Sequence, residues 1–190
     1  MTLNATSTPA RQSSIEGLAY TSLKPKVKEE ITSKSKLLSL LISTLESSTP
    51  TDSSVFGTLT IFANITSYRP ILTDEQKKMS QLSAYANSSK PAPEDPLDDD
   101  AKVTARCKTV MDAGIVPALA KHPVRSMSAI GLNQTVMILN ALAREQKHRG
   151  ILAQQGALKL LLQVLERLQG TGPQLEGPSK VAAHALARIL

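Results

Sequence analysis

The sequence predicts an all-α solenoid, and three observations support this. Aromatic residues make up 3% of the 190 residues, with no Trp, two Phe and three Tyr. The core must therefore be built from Leu, Ile, Val, Ala and Met, a palette that favours helices over strands. Apolar stretches rich in small residues recur at Ser14 to Tyr20, Val55 to Ile65, Ile130 to Leu142 and Val181 to Leu190. Their spacing is regular: Gly17 to Gly57 is 40 positions, and Gly57 to Gly131 is 74, one period plus an insertion. A unit of that length cannot bury its apolar face without its neighbours.

Each recurring stretch reads as the inner helix of an armadillo-like repeat, with Gly17, Gly57, Ala141 and Ala185 letting adjacent helices approach closely. The polar start, residues 1–13, is expected to be disordered, and residues 14–66 to form the first repeats. Leu37, Leu38, Leu40, Leu41 and Leu45 mark a helix that ends before Pro50. Residues 67–100 hold Pro70, Pro91, Pro93 and Pro96, a polar run and an acidic end. That composition cannot pack as a repeat and predicts a long mobile acidic loop. Within it, Asp74 to Ala86 forms a short amphipathic helix with Met79, Leu82 and Ala86 on one face.

Residues 101–190 resume the repeats. Ala101 to Ala113 is a helix with Val103, Cys107, Val110 and Met111 inward, stopped by Gly114. Ile115 to Lys121 follows, ended by Pro123. The same grammar returns 42 residues later: Arg144 to Gln155, then Gly156, then Ala157 to Leu168 with Leu158, Leu161, Leu162 and Leu165 on one apolar face. Helix, glycine, helix and a third inner helix fits stacked three-helix armadillo units better than two-helix HEAT units. Residues 170–178 read as a surface loop. Leu186, Ile189 and Leu190 are expected core positions with nothing after them, so the chain reads as a piece of a longer array.

Several function classes are disfavoured. No apolar run approaches the ~18–20 residues that cross a bilayer, and no signal-peptide stretch opens the chain, so a cytoplasmic protein without membrane contact is expected. The single Cys107 cannot form an internal disulfide or a cysteine-rich zinc site. There is no GxSxG, Walker-type or HExxH motif, and His122, His148 and His184 lack metal-ligand spacing. No catalytic residue, cofactor or metal is expected. The net charge of +6 is uneven: residues 51–100 carry four basic and eight acidic groups, residues 101–190 twelve and four. The basic residues are scattered without aromatic platforms, which argues against nucleic acid as a partner.

Asp98, Asp99 and Asp100 precede the helix at Ala101, where acidic groups cap free N–H groups and complement the helix dipole; contact with a basic partner is compatible with that role. Asn64 and Asn140 sit at equivalent places near the ends of inner helices, with Arg188 in the third copy. Such an asparagine either bonds the main chain of a peptide lying in the groove or satisfies groups inside the stack; the structural role is preferred.

Leu72-Thr-Asp-Glu-Gln-Lys-Lys-Met-Ser-Gln-Leu-Ser-Ala-Tyr-Ala86, Glu94-Asp-Pro-Leu-Asp-Asp-Asp100, Val103-Thr-Ala-Arg-Cys107 and Ala113-Gly-Ile-Val-Pro-Ala-Leu119 resemble the UCS-domain myosin chaperones, fungal members in particular. Leu139-Asn-Ala-Leu142, Gln155-Gly-Ala-Leu158 and Ala185-Leu-Ala-Arg188 extend the resemblance, which covers most of the chain from about Ser14. It implies a central armadillo region running into the start of a UCS domain, and a non-enzymatic scaffold that binds the myosin motor domain and assists its folding and stability. The ninety-kilodalton heat-shock chaperone is the second partner the family admits. On this footing the candidate partner-binding residues are Tyr85, Asp98, Asp99, Asp100 and Arg106, with Asn64 and Asn140. A generic armadillo adaptor for extended peptides is the alternative.

Overall fold

The structure is a computed structural model and describes residues 8–49, 52–70, 72–86, 95–168 and 176–190. Among the described residues every regular element is helical: α1 (Thr8–Thr21), α2 (Pro25–Ser33), α3 (Ser35–Ser47), α4 (Ser53–Thr66), α5 (Asp74–Ala86), α6 (Asp100–Asp112), α7 (Ile115–Ala120), α8 (Ala129–Leu142), α9 (Gln146–Gln154), α10 (Ala157–Leu168) and α11 (Glu176–Ile189), with 3-10 turns at Pro96–Asp98 and Val124–Ser126.

The four look-alike stretches lie inside α1, α4, α8 and α11, except that Leu190, expected in the core, falls past the end of α11 and is exposed; these helices stack in that order: α1 on α4, α4 on α8, α8 on α11. Before each of the last three come two further helices, giving the triplets α2-α3-α4, α6-α7-α8 and α9-α10-α11. Local chemistry sets the boundaries. Pro25 opens α2 at a position whose N–H needs no partner. The side chains of Asp52, Asp99 and Ser128 accept from Ser54 N, Lys102 N and Gly131 N at the starts of α4, α6 and α8. Gly114 and Gly156 adopt φ of +94° and +93° between the first two helices of successive triplets, a left-handed turn that only glycine makes without strain.

One continuous core follows, including Ile15, Leu41, Leu45, Leu59, Phe62, Val110, Ile115, Leu139, Leu161 and Ala185. The α1–α4 crossing is close enough that a Cβ on Gly57 would stand 2.7 Å from Ile15 Cγ2. Here the small residue is a packing requirement.

Several sequence expectations need correction. Helix α1 begins at Thr8, so the disorder expected for residues 1–13 does not extend through residues 8–13; residues 1–7 lie outside the described residues. Helix α9 starts at Gln146, with Arg144 and Glu145 in the preceding turn. On α10 the buried face is Ala157, Leu160, Leu161, Val164 and Leu168, while Leu162 is exposed, because α10 is rotated to meet both α9 and α11. Residues 176–178 belong to the first turn of α11, where Pro178 is tolerated; the rest of the loop expected at 170–178 lies outside the described residues.

The insertion also differs from the loop expected. Helix α5 has the expected bounds, with Met79, Leu82 and Tyr85 exposed; residues 71 and 87–94 are outside the described residues. Its acidic end, however, is built into the fold. Arg69 donates to the Asp95 carbonyl across the insertion. Asp98 accepts from Lys28 Nζ at 3.0 Å and from Arg106 at 2.7 Å.

Candidate partner-binding groove

Stacking α1, α4, α8 and α11 buries one side of each helix and leaves the other as a ribbed, open face. On α4 the residues left there, Ser53, Phe56, Thr60 and Asn64, recur every three or four positions, as one helical face requires, and Ser67 follows just past the helix end. On α8 the corresponding set includes Gln134, Met137 and Ala141, with Arg144 in the turn that follows. Two clefts run between the ribs. The first, about 540 Å³, lies between α1 and α4 and is lined by Glu16, Tyr20, Leu23 and Phe56. The second, about 440 Å³, lies between α4 and α8 and includes Tyr68, Asn133, Met137, Asn140 and Arg188. Asn64 and Gln134 line both, so the clefts form one groove.

The α1–α4 cleft is largely apolar, and Met137 extends that character into the α4–α8 cleft. Tyr20 is 78% exposed, Leu23 61%, and Phe56 and Met137 46% each. Grouped apolar side chains on a face walled by polar ones mark a binding surface more often than isolated exposed residues do.

Amides tie the ribs together. Asn64 Nδ2 donates to Ser22 Oγ at 2.9 Å and to the Ala19 carbonyl at 3.3 Å, bridging α4 to α1. Gln134 Nε2 donates to Thr60 Oγ1 at 2.6 Å, bridging α8 to α4, while its Oε1 has no partner. Arg188 donates to Asn140 Oδ1 at 3.2 Å and to the Asn140 carbonyl at 3.4 Å, bridging α11 to α8. Asn64 and Asn140 thus line the groove, and both bond within the stack, the role preferred from the sequence.

One wall of the groove is an aromatic and cationic stack. The Arg144 guanidinium lies 4.2 Å from the Tyr68 ring centroid and donates to Asp100 Oδ2 at 2.6 Å. The Tyr68 hydroxyl is 2.9 Å from Thr104 Oγ1. Burial pushes the phenol of Tyr68 up to about 12, with the neighbouring Cys107 adding to the shift. Burial likewise raises the Cys107 thiol to about 12. Both stay protonated at neutral pH, so Cys107 is a packing residue and not a nucleophile.

Two of the sequence-based candidates, Arg106 and Asp98, are engaged within the fold. Arg106 is 2% exposed. Its guanidinium donates to Glu29 Oε1 at 2.7 Å, Asp98 Oδ1 at 2.7 Å, the Leu97 carbonyl at 2.6 Å and the Ile65 carbonyl at 3.1 Å. Asp98 faces inward to this cluster, drawn there because a buried guanidinium needs carboxylates around it. Asp99 is spent on capping α6, and Asp100 reaches the groove wall through Arg144. Tyr85 is 88% exposed on α5. The residues that sequence reasoning missed are Tyr20, Leu23, Phe56, Gln134 and Met137. A signal exists: α4 and α8 are apolar on more sides than one buried face requires.

Comparison with known proteins gives this surface a context. No family model matches the chain. It is 30% identical over 186 residues to human protein unc-45 homolog B, covering 96% of this chain and 19% of that protein. The mouse homolog B is 30% identical over 189 residues and the Xenopus laevis one 28% over 183. The chain is homologous to a stretch of UNC-45. It spans about a fifth of the length of these UNC-45 relatives. A solved structure of the UNC-45 chaperone, a protein described as binding and folding muscle myosin, superimposes with a TM-score of 0.69 at 24% identity, covering 96% of this chain and 17% of that one. The UNC-45 fold is therefore the fold here, and the armadillo-like reading of the repeats agrees with it. Among the described residues no helix is long and apolar enough to cross a membrane, and no three His, Cys, Asp or Glu side chains converge as a metal site.

Proposed function

We propose that this chain is a client-holding part of a myosin-directed chaperone. The inner-helix groove grips non-native segments of the myosin motor domain in the cytoplasm and stabilises them by binding energy, with no catalytic step, metal or cofactor. The observation that carries the reading is the apolar set Tyr20, Leu23, Phe56 and Met137 held open on a rigid stack in a chain homologous to UNC-45. The ninety-kilodalton heat-shock chaperone, which the family resemblance admits as a partner, is not part of this reading.

The test is a heat-aggregation assay on purified myosin motor domain with and without the chain. Light scattering should fall as the chain is added, and Tyr20→Ser with Phe56→Ser should abolish the protection while leaving helical content unchanged. Equal scattering with and without the chain, together with no co-sedimentation of the motor domain, would sink the proposal. A second reading, an adaptor for extended peptides of many proteins, draws on the amides of Asn64, Gln134 and Asn140 in the groove. Equal capture of unrelated unfolded proteins and of motor domain would favour it.

A further inference from the structure

The two clefts differ in chemistry, and the difference points to what they read. The α1–α4 cleft is apolar and has Glu16 at its edge. At the other end, Arg188 is held by two oxygens of Asn140, both formally neutral, and has no acidic partner among the described residues. Arg144 nearby is different, since Asp100 already balances it. Arg188 is thus a positioned, half-buried cation with its charge uncompensated, and such a group favours a carboxylate brought to it.

Between the two ends lies Gln134, which lines both clefts and whose Oε1 is buried without a partner. Its Nε2 is already committed to Thr60, so Gln134 marks the junction of the two clefts as a fixed part of the groove floor.

Resting on the groove reading above, we propose that the groove recognises an extended polypeptide segment by a spaced pair of side chains: a bulky apolar one seated among Tyr20, Leu23 and Phe56, and an acidic one at Arg188. An extended strand suits the geometry, because the groove consists of two recesses joined at Asn64 and Gln134 rather than one uninterrupted trough for a helix about 10–12 Å across. Packed helices are about 8–10 Å apart. The α1–α4 furrow lies one and a half to two such spacings from the Arg188 guanidinium, about 12–20 Å, which an extended chain at about 3.3 Å per residue covers in about four to six residues. Glu16 fixes the polarity, repelling an acidic side chain from the apolar end.

Dye-labelled synthetic peptides in a Ser/Gly background, read by fluorescence polarisation against the intact chain, test this directly. A peptide with Phe and Glu five residues apart should bind. Replacing its Glu by Lys should weaken binding about tenfold, as should placing Phe and Glu side by side. Arg188→Glu should invert the preference, so that the Lys peptide binds better than the Glu peptide. The peptide series on the unmodified chain keeps the test decisive if that variant folds poorly.

If Glu and Lys peptides bind equally at every spacing, or if none binds while the motor domain is still protected from aggregation, the spaced-pair rule is overturned and the chaperone reading stands. Loss of motor-domain protection alone overturns the chaperone reading and leaves the peptide result to be judged separately.

Discussion

Replacing Arg106 by Ala is the most informative single perturbation of the fold. The side chain is 2% exposed and donates four hydrogen bonds, two to carboxylates at 2.7 Å and two to main-chain carbonyls at 2.6 and 3.1 Å. Truncation leaves Glu29 without its cation, leaves the Ile65 and Leu97 carbonyls without this donor, and leaves Asp98 with Lys28 alone. Removing one partner of a fully buried ion pair costs about 3–5 kcal/mol; Glu29 is 32% exposed and Asp98 keeps Lys28 beside it, so the low end, about 3 kcal/mol, is expected here. For a urea slope of about 2–3 kcal/mol per M, the unfolding midpoint should fall by about 1–1.5 M.

The assay is urea denaturation followed by far-UV circular dichroism, run with Asp98→Ala as the second arm of a double-mutant cycle. Asp98→Ala alone should cost less, since Arg106 keeps Glu29 and both carbonyls. The double variant should cost less than the sum of the singles by at least about 1 kcal/mol, the coupling expected of contacting charged groups. An Arg106→Ala midpoint within about 0.3 M of the parent would refute the argument that this cluster anchors the acidic end of the insertion to α2 and α6.

Three further outcomes are expected. Gly57→Ala adds about 1 kcal/mol of helix propensity but drives a methyl to 2.7 Å from Ile15 Cγ2, and overpacking costs about 1–3 kcal/mol, so the thermal midpoint should fall; Ile15→Ala in the same chain should turn the Gly57 substitution neutral or favourable. Asp99→Ala removes the acceptor for Lys102 N at 2.7 Å and should cost about 1 kcal/mol in chemical denaturation, with no change in motor-domain protection. At alkaline pH the sign follows from Cys107: its folded value of about 12 exceeds the ordinary 9.0, so from about pH 9 to 12 the unfolded state has lost a proton that the folded state keeps. That contribution is complete below pH 9 and declines by about 1.4 kcal/mol per pH unit above it; Cys107→Ala should lower stability overall yet make the decline with pH shallower by that amount. An unchanged slope would show that the thiol titrates normally.

The helical repeats are legible in the sequence because their determinants are local. A run such as Val55 to Ile65 shows its period, Gly114 and Gly156 stand where left-handed turns are needed, and Asp99 precedes a helix that it caps. The bounds of α5 are equally readable, from two flanking breaks and one amphipathic stripe. Rotations are harder. The face of α10 turns on the positions of both α9 and α11, so Leu162 reads as core in isolation and is exposed in the stack.

The site divides in the same way. Asn64 and Asn140 can be placed near inner-helix ends from repeat register alone. Arg106 and Asp98 are only eight residues apart and read as surface charge; what buries them is Glu29 on α2 and the Ile65 carbonyl on α4, 77 and 41 positions away from Arg106. The groove likewise needs four helices spread over most of the chain to stand side by side, and no window of sequence reports which apolar residues that stacking leaves uncovered. Secondary structure and repeat register come from interactions within a few residues, and the sequence alone determines them. Which charges are buried and which side chains line the groove come from contacts between triplets, and only the tertiary structure decides those.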